Sequence, residues 1–360
     1  MSGSPADERR PVSESTLDRP VVAVVLAGGV GSRLYPASRG DRPKQFLPLG
    51  TDSDESLLSR TVARLDFADE VLVSTRPAFA DEVPEHAPDT EVVVEPAGKD
   101  TGPALLYATW EARRRVTGDA DTAADPVVVC LPSDHHVPDA EAFAAAMSRG
   151  ARVAADTGAL VAFGVEPTRP DTGYGYIEPG AQHGGYADLA AFHEKPDAET
   201  AREYLAAGYR WNAGIFAWTP AALFAAAHDT PLAPLADALE AGEPKRGFDA
   251  VEPISIDYAV MERADEAAVV PVDFVWDDLG SWDALERVLG GDAHGNTLDS
   301  DALALDASGN VVVSDDKHVS VVGVDDLCVV AYDDRVLVVP KAEAQRVREV
   351  VARLKGDGSF

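Results

Sequence analysis

Short apolar, β-branched runs recur along the chain, at 21–26, 71–75, 92–95, 127–131 and 160–165. Between them lie longer segments whose apolar residues fall at helical spacing. Strands of this kind alternating with helices predict an α/β domain with a mixed, mostly parallel sheet covered by helices. The clearest helix starts at Thr101, which can cap it. Pro103 sits near its first turn, and Leu105, Leu106, Thr109 and Trp110 form its apolar stripe. Segments 140–157 and 198–207 are amphipathic in the same manner. The texture changes after about Gly290. From Gly295-Asn296 onward the strands are short and evenly spaced, at 309–313, 318–324, 327–332 and 335–339, with polar turns between them. That pattern predicts a small β-solenoid or β-roll, closed by an amphipathic helix over 341–355. The chain therefore divides into a polar tail (1–20), an α/β domain (21–290) and a C-terminal β domain (291–360). The β part holds no cluster of catalytic residue types, so a packing or oligomerisation role is expected of it, with a homodimer formed through it.

Composition narrows the class. The 360 residues suffice for two cores, and a hydrophobic fraction of 46% is ordinary for a globular protein. No apolar run is long enough to span a bilayer, and the N-terminus is polar and charged rather than a signal peptide. The tail, rich in Ser, Pro, Asp, Glu and Arg, reads as disordered. Two cysteines, Cys130 and Cys328, make no disulfide framework, and Cys130 falls inside an apolar run as a small buried hydrophobe. A reduced, cytoplasmic protein is expected. The net charge is −31, with acid spread along the whole chain and arginine in place of lysine. Such a surface suits a high-salt, halophilic cytoplasm, where screening removes self-repulsion. The absence of a basic patch excludes nucleic acid as a partner. Lysine is scarce, yet Lys44, Lys99 and Lys195 each sit inside a motif.

The first motif follows the strand at 21–26: Leu26-Ala27-Gly28-Gly29-Val30-Gly31-Ser32-Arg33-Leu34-Tyr35-Pro36, then Pro43-Lys44-Gln45-Phe46. Glycines admit backbone amides to a phosphate chain, and the Arg and Lys neutralise it. No Gly-Lys-Ser/Thr follows, so this is not a P-loop. Leu34 stands where a dinucleotide fingerprint needs its third glycine. Pro132-Ser133-Asp134-His135-His136 follows the strand at 127–131, and Asp134 at that strand end is a natural Mg²⁺ ligand opposite phosphates. Zinc is not expected: adjacent histidines on an extended segment point to opposite sides, and no further His or Cys lies nearby. The histidines are expected to support Asp134. In Trp276-Asp277-Asp278-Leu279-Gly280-Ser281-Trp282 one Asp could join Asp134 on a metal, or the stretch could be an acidic turn between aromatic core residues. Glu194-Lys195-Pro196 and Trp211-Asn212-Ala213-Gly214 suit sugar hydroxyls and a phosphate, or a surface ion pair and a turn cap. Glu95 to Pro103 joins a strand to the helix at 101, whose first amides could face a base or phosphate. Thr172-Gly173-Tyr174-Gly175 offers close backbone approach to a sugar ring, or a plain turn.

Together, with Ser255-Ile256-Asp257-Tyr258-Ala259-Val260-Met261-Glu262, these motifs resemble the mannose-1-phosphate guanylyltransferase (GDP-mannose pyrophosphorylase) family of the sugar nucleotidyltransferase superfamily, from about Val21 to the C-terminus. The resemblance implies a Rossmann-like nucleotidyltransferase domain followed by a short left-handed β-helix-like domain. The chain is too short for the phosphomannose isomerase domain that some members carry. The implied reaction transfers GMP from GTP to mannose 1-phosphate with Mg²⁺ as cofactor. By the same resemblance Leu26, Ala27, Gly28, Gly29, Gly31, Ser32 and Ser133 hold the nucleotide, with Arg33 and Lys44 on its phosphates. Gly98, Asp100 and Thr101, within 95–101, meet the guanosine. Asp134 and Asp278 bind Mg²⁺, Lys195 takes the sugar phosphate, and Glu194, Asn212 and Gly173 hold the mannose. Ser32, Tyr35 and Lys99-Asp100 depart from the family's commoner Thr, Trp and Arg-Asn. Two other readings stay open: the same chemistry on another pair, such as glucose 1-phosphate with dTTP or UTP, and a non-catalytic sugar-nucleotide-sensing subunit.

Overall fold

Nine of the strands belong to one mixed sheet. They are β1 (Val21–Leu26), β2 (Glu70–Thr75), β3 (Glu91–Val94), β4 (Val127–Pro132), β5 (Leu160–Val165), β6 (Tyr176–His183), β7 (Tyr186–His193), β8 (Arg210–Trp218) and β9 (Ala267–Val272). The computed structural model describes residues 17–50, 54–118, 125–299, 301–358 and 360, and the expected polar tail lies outside the described residues as far as residue 16. Among the described residues the sheet order is β3-β2-β1-β4-β8-β5-β9-β7-β6. β1 lies parallel to both β2 and β4, while β8 runs antiparallel to β4 and β5, and β7 antiparallel to β6 and β9. All strands but β7 and β8 thus share one direction, as a mostly parallel sheet requires. Leu26 is level with Ser74 and Pro132, so the carboxyl ends of β1, β2 and β4 align. In sheets of this type that edge is where ligands are met.

Contacts divide the chain into two units that interleave along the sequence. The first runs to Gly28 and takes in Arg64–Pro132 and Asp139–Phe274; the second comprises Gly29–Ala63, Ser133–Pro138 and Val275–Phe360. The nine-stranded sheet lies in the first unit. Its core joins Val22, Val24, Leu72, Val128 and Cys130 of the sheet to Leu105, Leu106, Ala108 and Ala112 of the helix Thr101–Thr117. Thr109 belongs in that buried stripe because its hydroxyl accepts from Trp218 Nε1 at 3.0 Å. The helix cap differs from the sequence expectation. Asp100, at φ 70°, folds its carboxylate onto the Thr101 amide (2.7 Å) and is the N-cap. Thr101 is the first helical residue, and its hydroxyl accepts from the Ile256 amide at 3.0 Å.

The second unit carries β10 (Thr297–Asp299), β11 (Ala302–Leu305), β12 (Val311–Ser314), β13 (Val319–Val322), β14 (Leu327–Tyr332) and β15 (Arg335–Pro340). β10-β12-β14 stack in parallel, as do β11 and β13, so successive coils lie in register and form a β-helix-like solenoid. β15 turns back antiparallel on β14. The expected closing helix is split: Lys341–Arg346 is a 3-10 segment and the α-helix is Val347–Gly356. Val311, Val313, Cys328, Val330, Val347 and Val351 share one core with Leu34, Leu47, Leu49, Leu57, Trp282 and Leu285. The loop after Gly28 is therefore packed on the solenoid's core. Cys130 and Cys328 are both buried and free. Among the described residues no helix is long and apolar enough to cross a membrane.

A buried asparagine pair ties the coils together. Asn296 donates to the Ala307 carbonyl and accepts from the Asn310 amide, and Asn310 donates to the Val324 carbonyl and accepts from the Leu327 amide. Each side chain satisfies backbone groups that the coil corners leave unpaired. Replacing Asn310, which is fully buried, by Ala strands two of them at once, the Val324 carbonyl and the Leu327 amide. Asn310→Ala is expected to lower the unfolding free energy of this unit by about 2–4 kcal/mol, measured by denaturant titration.

Candidate functional site

In the second unit the glycine loop is built around a buried lysine. Gly31 adopts φ 71°, ψ 39° and caps the 3-10 turn Ser32–Leu34. A Cβ on Gly31 would lie 2.3 Å from the Lys44 Cβ, so both the left-handed backbone and the close approach demand glycine. The Lys44 amide donates to the Val30 carbonyl at 3.0 Å, and the Ser38 hydroxyl donates to the Gly31 carbonyl at 2.5 Å. Lys44 is only 4% exposed. Its ammonium lies 2.9 Å from Asp134 Oδ2 and donates to the Asp278 carbonyl at 2.6 Å. A buried ammonium needs this pairing, because desolvation without it costs several kcal/mol. Burial works against ionisation of Asp134, but Lys44 and His135 outweigh it, and the carboxyl sits below the usual carboxylate range.

The paired aspartates at 277 and 278 have separate uses. Asp277 is buried: its carboxylate accepts from the Leu279 amide (2.8 Å) and from Arg287 Nε (2.7 Å), holding Leu279 at φ 45°. Its backbone pairs with His136. Asp278 is half-exposed, its carboxylate accepting from the Gly280 amide at 3.0 Å. His135 is buried beneath Asp134, with Nδ1 accepting from Trp276 Nε1 at 3.1 Å. The histidines thus hold the segments that carry the two acids. Ser133 is buried and its carbonyl accepts from the Thr61 hydroxyl at 3.1 Å. Arg33 is exposed, and its side chain has no ion-pair partner among the described residues. Lys44, Asp134 and the Asp278 backbone are therefore brought together.

Two clusters form in the first unit. One gathers the end of β1, the end of β2 and the segment after β3. The Ala27 amide donates to the Ser74 carbonyl (2.8 Å), and the Thr75 hydroxyl donates to the Ala27 carbonyl (2.9 Å). Glu95 is 4% exposed, and burial, opposed by Arg76 and by the Ser74 hydroxyl, pushes its carboxyl up to about 7. A Cβ on Gly28 would come within 3.2 Å of Glu95 Oε1, and one on Gly98 within 2.8 Å of Arg76 Cδ. Asp100 is occupied with its own cap, as above, and Lys99 donates to the Val251 carbonyl at 2.7 Å. The second cluster gathers Glu194, Lys195 and Asn212. Lys195, at φ 44° and largely exposed, is ion-paired with the more buried Glu194. Asn212 donates to Asp257 Oδ1 at 2.8 Å, and its own carbonyl oxygen accepts from the Gly214 amide at 3.0 Å. Gly175 also touches this cluster. Its carbonyl accepts from the Asn212 backbone N–H (2.9 Å), and a Cβ there would lie 2.7 Å from Glu194 Oε2. Gly173 is exposed, with its amide donating to Asp171 Oδ1 at 2.8 Å.

Three residues of these clusters, Glu95, Gly175 and Asp257, received no role of their own from sequence. Each stood inside a motif. The available signal for Asp257 was an acid within the largely apolar stretch 254–261, and for Glu95 an acid at a strand end before Pro96.

Residues 22–294 match the nucleotidyl transferase family, and residues 300–354 match the MannoseP isomerase/GMP-like beta-helix domain. The chain is 37% identical over 365 residues to the mannose-1-phosphate guanylyltransferase of Escherichia coli K12, covering 93% of this chain and 73% of that protein. It is 38% identical over 358 residues to the xanthan biosynthesis protein XanB of Xanthomonas campestris pv. campestris strain B100, covering 94% and 74%. A crystal structure from Thermus thermophilus, described as a mannose-1-phosphate geranyltransferase, superposes with a TM-score of 0.84 at 38% identity, covering 93% of this chain and 99% of that one.

The loop geometry separates neighbouring glycines. Gly31→Ala is expected to lower stability by about 2–4 kcal/mol, from left-handed strain and overlap with Lys44. A Cβ on Gly29 would meet nothing within 4 Å, so Gly29→Ala should stay within about 1 kcal/mol of the parent in the same denaturant titration.

Proposed function

The chain belongs to the nucleotidyl transferase family, and from that premise we propose that it transfers GMP from GTP to mannose 1-phosphate, giving GDP-mannose and pyrophosphate. The observation that carries the reading is the Lys44 ammonium seated on the Asp134 carboxylate and the Asp278 carbonyl behind a glycine loop. That cluster supplies both signs of charge that a triphosphate and its metal require. All of its charged residues are intact, which disfavours a non-catalytic subunit.

In this mechanism a phosphate oxygen of mannose 1-phosphate attacks the α-phosphorus of GTP in line. The bond from the α-phosphorus to the bridging oxygen breaks, and pyrophosphate leaves with the electron pair. The attacking phosphate is already anionic, so no general base is needed, and catalysis rests on positioning and charge neutralisation. The loop formed by Leu26, Ala27, Gly28, Gly29, Gly31 and Ser32, with Ser133, holds the nucleotide. Lys44 and the exposed Arg33 neutralise its phosphates. Asp134 and Asp278 offer hard carboxylate oxygens, Asp134 being kept ionised, which suits Mg²⁺; the ion would be held by these two and would supply charge neutralisation at the phosphates. Lys195 takes the sugar phosphate, and Glu194, Asn212 and Gly173 hold the mannose.

Guanine presents two adjacent donors, its N1–H and its 2-amino group, and an ionised carboxylate accepts from both. Glu95 is the buried carboxyl of the segment assigned to guanosine, with Gly98, Asp100 and Thr101 shaping the backbone beside it. The Asp100 carboxylate is turned onto the Thr101 amide, where it caps the helix.

Further parts of the reading concern the whole molecule. The excess of acid, −31 overall, fits a halophilic cytoplasm, and two buried free thiols fit a reducing one. Exposed Leu303, Leu305, Val322, Val336 and Val338 on the solenoid suit a homodimer formed through that unit.

The deciding experiment measures pyrophosphate release in molar KCl with Mg²⁺, across a matrix of nucleoside triphosphates and sugar 1-phosphates. Release mainly from GTP with mannose 1-phosphate is expected. Another preferred pair would move the substrate, and no release from folded, nucleotide-binding protein would favour the sensing role. Asp134→Asn should cut turnover by about 10²–10³-fold and, by leaving the buried Lys44 ammonium without its carboxylate, lower the unfolding free energy by about 3–5 kcal/mol, so turnover is read on protein that circular dichroism shows to be folded. Because Glu95 must be ionised to accept from guanine and titrates near 7, KM for GTP should rise as pH falls through that value. Glu95→Gln should flatten this dependence and narrow the preference for GTP over ATP.

A further inference from the structure

The Asn212 amide is held at both ends by groups of opposite character. The Gly214 amide can only donate, and it donates to Oδ1 at 3.0 Å. The ionised Asp257 carboxylate can only accept, and it accepts from Nδ2 at 2.8 Å. Only one orientation of the amide satisfies both partners. That orientation leaves one N–H and one oxygen lone pair unspent, a donor and an acceptor side by side, which is the pairing that two neighbouring sugar hydroxyls need.

Asp257 is itself fixed. It opens a five-residue π-helical turn, Asp257–Met261, a local geometry that recurs at functional sites. The segment before it is bonded to the start of the helix Thr101–Thr117. The Ile254 amide donates to the Lys99 carbonyl (3.3 Å), the Gly102 amide to the Ile254 carbonyl (3.0 Å), and the Ile256 amide to the Thr101 hydroxyl (3.0 Å). A Cβ on Gly102 would lie 2.6 Å from the Ile254 carbonyl oxygen, so the approach is as close as glycine allows.

We propose that Asp257 is a positioning residue for the sugar phosphate: it orients the Asn212 amide so that its remaining donor and acceptor are presented to hexose hydroxyls. The inference rests on the reading above that Asn212 holds the sugar. The charges that act on Asp257 support it. Burial and the neighbouring Glu194 raise its carboxyl to about 6, against the hydrogen bond from Asn212 and the Lys195 ammonium, which lower it. Protonation would turn Asp257 into a donor as well as an acceptor and remove the constraint on the amide. Glu262 stands on the same side, raised by its own burial and by Glu194.

The test is steady-state kinetics of the full chain with both substrates varied, on Asp257→Ala, Asp257→Asn and Asn212→Ala, above and below pH 6. Asp257→Ala is expected to raise KM for mannose 1-phosphate about tenfold, the worth of one oriented hydrogen bond, with KM for GTP within about twofold. Asp257→Asn can turn its carbonyl to Asn212, so it should recover part of that loss and should lack the rise in KM that the parent shows below pH 6. If Asn212→Ala raises KM for the sugar phosphate and Asp257→Ala does not, the positioning role is wrong. Equal damage by Asp257→Ala to both KM values would likewise overturn it, since that marks a structural part only. An Asn212→Ala enzyme with unchanged use of mannose 1-phosphate would instead remove the sugar-binding reading beneath it. Asp257→Asn, which keeps size and an acceptor, carries the test if the alanine variant does not fold.

Discussion

One buried ammonium holds the second unit together. Lys44 ties the glycine loop to two other segments, through the carboxylate of Asp134 and the carbonyl of Asp278. These three pieces are more than two hundred residues apart at their extremes, and nothing in the local chain would bring them together. The lysine cannot stay buried without its partners, and with His135 it holds the Asp134 carboxyl below its usual range against burial. The loop conformation is subordinate to this contact: Gly31 is left-handed and bare because Lys44 lies against it. The aromatic and histidine supports around it serve the same end, with Trp276 donating to His135 and the His136 backbone pairing with Asp277. A charge cluster set this firmly before any substrate arrives is preorganised, which is how electrostatic catalysis avoids the cost of reorienting dipoles during reaction.

The first unit solves a different problem, the presentation of neutral hydrogen-bonding groups. Its polar side chains are spent in pairs, each fixing the other. Asp100 caps the helix that Thr101 begins, Thr101 holds Ile256, and Asp257 then holds Asn212. Two buried carboxyls of these clusters are pushed up rather than down: Glu95 to about 7 and Asp257 to about 6. The cause is burial in both cases, helped at Asp257 by Glu194. The unit thus contrasts with the second, where Lys44 and His135 keep Asp134 low. Two carboxyl environments displaced in opposite directions fit a division of labour between binding phosphates with metal and reading hydroxyl and base donors.

A large acidic excess makes this arrangement more pointed. With 62 acidic against 31 basic residues, and few lysines among the latter, positive charge is placed sparingly. Of the three motif lysines, only Lys44 and Lys195 meet acids; Lys99 is given to a backbone carbonyl, bracing the segment around Val251.

Sequence alone determined the strands at 21–26, 127–131 and 160–165, the helix at 140–157, the mostly parallel character of the large sheet, the change to short solenoid-like strands after about Gly290, and the motifs that carry the charged residues. Those properties are local: periodicity, glycine and strand-end position are written in neighbouring residues. The residues by themselves left Asp277 and Asp278 equivalent, with Asp278 chosen only by the family resemblance, and they placed the cap of the helix at Thr101 rather than Asp100. The fold supplied the physical difference between the two aspartates, because Arg287 and the Leu279 amide claim Asp277. Only the fold gave Asp257 a partner, since Asn212 lies on a strand 45 residues away. It also packed the glycine loop against the core of the C-terminal solenoid, so that two stretches at opposite ends of the chain form one unit. Hydrogen-bond partners and burial depend on which segments meet in space. No residue's own neighbourhood in the chain records that.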